Sequence, residues 1–130
     1  MSDIKVPISP GELLDKITIL RIKSRRMTDP RKLANVRAEL EALEATWKSS
    51  AYARVDVDAD VGALLAVNER LWTIEDDIRD KERDKAFDEE FVRLARAVYI
   101  ENDERAAIKR RLNIKLGSTL VEEKSYASYQ

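Results

Sequence analysis

In Ser9-Pro10-Gly11-Glu12-Leu13-Leu14-Asp15-Lys16-Ile17 a hydroxyl cap, a proline and a glutamate stand in the order that starts an α-helix. The Ser9 hydroxyl is placed to accept from the amide of Glu12, the Glu12 carboxylate to reach back to the Ser9 amide, and Pro10 falls where a missing N–H costs nothing. Ile8 and Leu13 flank the cap as a hydrophobic staple. The helix runs to about Met27, with Leu13, Ile17, Leu20 and Met27 on one face and Ile19 and Ile22 nearly opposite, so it has neighbours on two sides. Asp29-Pro30 then repeats the start signal, which forces the second helix back against the first.

Working outward, helix 2 carries Leu33, Val36, Leu40, Leu43 and Trp47 at alternating spacings of three and four, an amphipathic stripe that places Trp47 in the core. The period breaks over residues 49–59, where Val55-Asp56-Val57-Asp58 reads as an extended linker. Helix 3 starts at Asp58 to Asp60 and runs to about Arg83 with Leu64, Val67, Leu71, Ile74 and Ile78 as its seam. Helix 4 starts at Asp88, with Phe87 stapled against Val92 and Glu89 and Glu90 suited to the positive end of the helix dipole, and it stops at Gly117. The reading is one all-α domain, a four-helix bundle of two antiparallel hairpins: hairpin one over about 9–48, hairpin two over about 60–117, and a tail over 118–130. A short extended N-terminal arm, Ile4-Lys5-Val6-Pro7-Ile8, precedes it. At 1.5 Å per residue helix 4 spans roughly 43 Å and helix 1 roughly 27 Å, so part of the longer hairpin overhangs, and a second copy could cover it. A homodimer is therefore expected.

Composition removes several classes of chemistry. The 130 residues contain no cysteine and no histidine, which excludes thiolate chemistry, the common zinc sites and Ser-His-Asp catalysis. Gly11, Gly62 and Gly117 are too scattered for a phosphate-cradling loop. No cofactor is expected. No apolar run is long enough to span a bilayer and the start lacks a secretion signal, so the expected address is cytoplasmic, with no membrane partner. The formal net charge is −1, laid out as a basic first segment, an acidic middle and a basic end. The local basic patch of Arg21, Lys23, Arg25, Arg26, Arg31 and Lys32 reads as a solvated face and no nucleic acid is expected.

One polar constellation interrupts the apolar faces. Helix 4 keeps a stripe through Phe91, Leu94 and Val98, then sets Asn102, Arg105 and Lys109 on it before returning to Leu112 and Leu116. Helix 3 matches it with a seam of Asn68, Trp72, Glu75, Arg79 and Glu82. Folding the hairpin near Ala86 brings these together, and buried charge is costly unless paired. The structural reading pairs Glu75 with Arg105 or Lys109 and is preferred. The alternative is a ligand site in which Arg105 and Lys109 take a small anion or sugar acid, Asn68 and Asn102 read hydroxyls, and Trp72 floors the pocket. A third reading, an all-α magnesium-dependent hydrolase, has Glu101-x-x-Glu104 but only Asp76-x-x-x-Asp80 opposite it, so no metal site is assigned. With no nucleophile, base and oxyanion site assembled, the expected role is a non-enzymatic helical interaction or assembly module with a possible protein partner.

The segments Gly11-Glu12-Leu13-Leu14-Asp15-Lys16-Ile17-Thr18-Ile19-Leu20, Asn68-Glu69-x-Leu71-Trp72-x-Ile74-Glu75-Asp76, Ala95-Arg96-Ala97-Val98-Tyr99 with Asn102-Asp103, and Glu122-Glu123-Lys124-Ser125-Tyr126 together resemble a family of small bacterial proteins of unknown function. The resemblance covers nearly the whole chain. It implies a connection with enzymes of surface-glycan assembly, and it implies that Glu122 to Tyr126 belongs to the fold or the site.

Overall fold

The architecture is that of a computed structural model, which describes residues 2–129. Four helices follow one another, α1 (Pro10–Arg26), α2 (Pro30–Ser49), α3 (Asp58–Arg83) and α4 (Glu89–Lys115), and no strand occurs among the described residues. The caps act largely as their residue types dictate. Ser9 Oγ accepts from the Glu12 amide at 3.1 Å, Asp29 Oδ1 from the Arg31 amide at 2.9 Å, and Asp88 Oδ1 from the Phe91 amide at 3.0 Å. Two expectations about these starts are corrected. The Glu12 carboxylate is drawn to Lys109, which offers it a full charge. Phe87 turns its ring edge-on to Phe91, at 5.2 Å between centroids, while Val92 stays half exposed.

The expected linker contains a single 3-10 turn, Ala51–Arg54, and the Tyr52 ring stacks on Trp47 at 6.3 Å. Trp47 is thus only partly buried, seated at the margin of the core.

Helix α1 lies at the centre, with α2 on one side and the α3/α4 hairpin on the other. Its two apolar faces serve these two neighbours. The main core gathers Leu14, Val57, Leu64, Val67, Ile108, Leu112 and Leu116 where α1 crosses the open end of the hairpin. Helix α2 has only α1 and the 3-10 turn as substantial neighbours, and Val36 is its only buried residue among those described. Cross-hairpin ion pairs Arg70–Glu101 and Arg111–Asp60, each at 2.9 Å, tie α3 to α4.

Both long helices end in the same way. After α4 the Ser118 amide bonds to the Asn113 carbonyl at 2.9 Å with Gly117 at φ 67°. After α3 the Ala86 amide bonds to the Lys81 carbonyl at 2.9 Å with Lys85 at φ 53°. These are Schellman closures, whose left-handed position favours glycine. The hairpin beyond Trp72 and Asn102 extends past the end of α1 as a two-helix arm tipped by Phe87, Phe91 and Val92. No helix among the described residues is long and apolar enough to cross a membrane.

Candidate functional site

The polar constellation forms where the first turns of α1 press against α4. Gly11 makes that approach possible. A Cβ at this position stands 2.6 Å from the Lys109 carbonyl oxygen and 2.8 Å from Asn113 Oδ1, so no side chain fits. The Gly11 amide, an unpaired donor at the helix start, instead donates to Asn113 Oδ1 at 2.8 Å.

One turn further, α1 turns Asp15 inward, with no exposed surface. Arg105 meets it as a fork, Nε to Oδ1 at 2.9 Å and Nη2 to Oδ2 at 2.5 Å. Asn68, 5 % exposed, donates Nδ2 to Asp15 Oδ1 at 2.9 Å and to Thr18 Oγ1 at 3.0 Å. The Thr18 hydroxyl spends its proton on the Asp15 carbonyl at 2.7 Å. The hydrogen bond to Asp15 holds the Arg105 pKa above its ordinary value against the effect of burial. Among the described residues, no buried side-chain nitrogen or oxygen is left without a partner.

Lys109 sits one turn along α4, nearly buried, with Nζ 2.6 Å from Glu12 and 2.8 Å from Glu122. Burial disfavours its charge, but the two carboxylate hydrogen bonds outweigh that and raise its pKa above the usual lysine value. Glu122 belongs to the tail, which runs back along α4 with Glu123 on Arg110 at 3.2 Å, Lys124 on Asp103 at 3.1 Å, and the Tyr129 ring against Tyr99 at 5.1 Å.

The structure rearranges the sequence-predicted set. Glu75 pairs with Arg79 on its own helix at 2.5 Å, not with Arg105 or Lys109, because α1 delivers Asp15 into the position the hairpin alone leaves to Glu75. Asn102 donates to the Val98 carbonyl at 3.0 Å and faces Arg105 Nη1 at 3.4 Å. A shallow groove of about 400 Å³ at the end of α1 brings together Asn68, Trp72, Glu75, Asn102 and Arg105, with Ile19, Ile22 and Leu71 as its apolar wall. Lys109 lies outside that groove, beyond Asp15. Outside the predicted set were Gly11, Glu12, Asp15, Thr18 and Asn113, while Glu122 falls in the tail segment that the resemblance ties to the fold or the site. Asp15 and Thr18 carried the same signal as the α4 residues, polar groups three apart on an apolar helix face.

No three acidic side chains among the described residues are placed to hold a metal ion. Asp80 is paired with Arg83 at 2.8 Å and Glu101 with Arg70.

Fold and site define a small all-α protein in which a central helix is locked to a long hairpin by a buried Asp–Arg–Asn–Thr network. The chain belongs to DUF6165, a family of unknown function whose model matches residues 4–129. No curated protein and no solved structure matches it.

Proposed function

We propose that this protein is a non-enzymatic assembly module, which works by presenting the free end of its α3/α4 hairpin to a second copy. The observation that carries this reading is the division of labour between the two ends of the hairpin. At the open end every chemically interesting group is used internally. Asp15 is saturated by Arg105 and Asn68, and the Thr18 hydroxyl both donates and accepts. The Lys109 pKa moves up, opposite to the direction a nucleophilic amine needs. At the free end, Phe87 and Val92 expose more than half of their surface.

A bound anion gains less from this geometry, since Asp15 already answers the charge of Arg105 and Glu75 and Asp76 also line the groove. In this reading the protein acts in the cytoplasm, and the companion enzymes of surface-glycan assembly implied by the resemblance are the first partners to offer the assembled form. Sedimentation equilibrium tests the central claim. The expected result is a mass twice that of the 14.9 kDa chain at micromolar concentration, falling towards monomer in Phe87→Asp. A wild-type protein that stays monomeric throughout that range overturns the reading.

A further inference from the structure

The exposed tip is only half of an interface. The other half must accept an aromatic knob and complement its charge, and the root of the same arm does both. Resting on the self-association reading above, we propose that the partner surface for the tip is the groove at the end of α1 in a second copy, flanked by the basic α1–α2 elbow. Two chains then pair about a two-fold axis with each tip in the other's groove.

Three observations carry this. The first is direction. Phe91 lies on the α4 stripe that continues through Val98 to Asn102 and Arg105, the last three or four residues apart at each step, so tip and groove open to the same side of the arm. Phe87 packs against Phe91 and shares that side. Two such arms laid antiparallel bring each tip to the other's root. The groove offers the partly exposed Trp72 and Ile19 to receive the rings, over a floor of buried Ile22 and Leu71, and its volume of about 400 Å³ admits them.

The second is the charge on the arm. Its internal ion pairs, Arg79–Glu75, Arg83–Asp80, Lys85–Glu82, Lys81–Asp88 and Arg93–Glu90, consume matched charges. Among the described residues Asp77, Asp84 and Glu89 are left without an ion pair on the outer part of the arm, against Arg96 alone among its cations, so this part carries surplus negative charge; Asp76, also without an ion pair, lies in the groove itself.

The third is the charge at the elbow. Arg25 and Arg26 share the single carboxylate of Glu69, at 2.8 Å and 2.7 Å, and Lys23, Arg31 and Lys32 have no ion pair among the described residues. An apolar knob ringed by surplus carboxylates thus meets a groove whose own Glu75 and Asp76 are outnumbered by the cations of the elbow beside it. A two-fold pairing satisfies both at once, as an isologous interface requires. The cost of like charges in any other register helps to select this one.

Charge exchange between copies tests the pairing. One variant reverses the elbow, Arg31→Glu with Lys32→Glu, and the other reverses the outer arm, Asp77→Lys with Asp84→Lys. The elbow changes put acids in the first turn of α2 and Asp84→Lys puts a base at the end of α3, where helix dipoles favour them, so both variants keep their folds. Sedimentation equilibrium and circular dichroism are run on each alone and on an equimolar mixture. The expected result is helical monomers from each variant alone, weakened roughly tenfold or more in self-association, and a heterodimer in the mixture. Variants that dimerise alone as well as wild type, with no preference for each other, overturn this interface while leaving the self-association reading standing. A monomeric wild type overturns both.

Discussion

Arg105 and Asp15 are the pair on which the interior depends. Arg105→Met leaves a carboxylate with no exposed surface facing only Asn68, and the expected cost is about 3 kcal/mol in urea unfolding, the size typical of removing one partner of a buried pair. Asp15→Asn combined with Arg105→Met leaves no unpaired charge and should recover much of that loss as non-additivity. Glu75→Gln is the control. Its partner Arg79 is a solvent-exposed neighbour on the same helix, so the expected change is within about 0.5 kcal/mol. If Glu75→Gln destabilised the protein as much as Arg105→Met, the pairing described here would be refuted. Gly11→Ala tests the close approach of α1 to α4. The added methyl meets a backbone carbonyl that cannot swing aside, and the expected loss is about 1–3 kcal/mol by the same assay.

At the scale of elements, the turn after α3 and the strap along α4 each carry a prediction. Lys85 occupies the left-handed position of a Schellman closure that Gly117 fills at the end of α4, so Lys85→Gly should raise stability by about 0.5 kcal/mol, the relief of strain exceeding the added chain entropy. The strap is tied by groups that titrate in opposite senses. The hydrogen bond from Lys109 holds the Glu122 pKa below the ordinary carboxylate value, so its contribution is complete at neutral pH and is lost as pH falls through that lowered value. The hydrogen bond to Asp103 raises the Tyr129 pKa, and that contribution is lost as pH rises through the raised value. Ring resonances of Tyr99 and Tyr129 should therefore lose their mutual shifts at both extremes while the helices persist; shifts that survive strong acid would count against the ion-paired strap. The helix starts were legible because Ser9, Asp29 and Asp88 act within three residues of themselves. The partner of Arg105 was not legible, since Asp15 is ninety positions away. Only the way α1 crosses the hairpin decides between Asp15 and Glu75. The stripe of α2 was visible, but the sequence cannot show how little the fold gives it to pack against.

For the whole molecule, that last point becomes a statement about cooperativity. The α1, α3 and α4 helices share one core and one polar network, whereas α2 rests on α1 and buries Val36 alone. An element with few buried apolar contacts opens at lower free energy than the body it lies on. The Arg21–Glu44 pair at 3.2 Å is solvent-exposed and adds little to hold it. At its far end α2 is anchored better, because Trp47 and Tyr52 pack against the core, so opening should begin at Asp29 and reach Trp47 last, still ahead of the hairpin. Native-state hydrogen exchange in low denaturant should accordingly find the amides of Val36 to Leu43 opening in a unit that leaves Leu64 to Leu71 and Ile108 to Leu112 protected. The two tryptophans give an independent reading, Trp47 reporting α2 and Trp72 the hairpin. With Trp47→Phe and Trp72→Phe each leaving one fluorophore, the urea midpoint seen by Trp47 should lie below that seen by Trp72. Coincident midpoints, together with uniform exchange free energies across all four helices, would show that α2 is bound into the core more tightly than its burial allows.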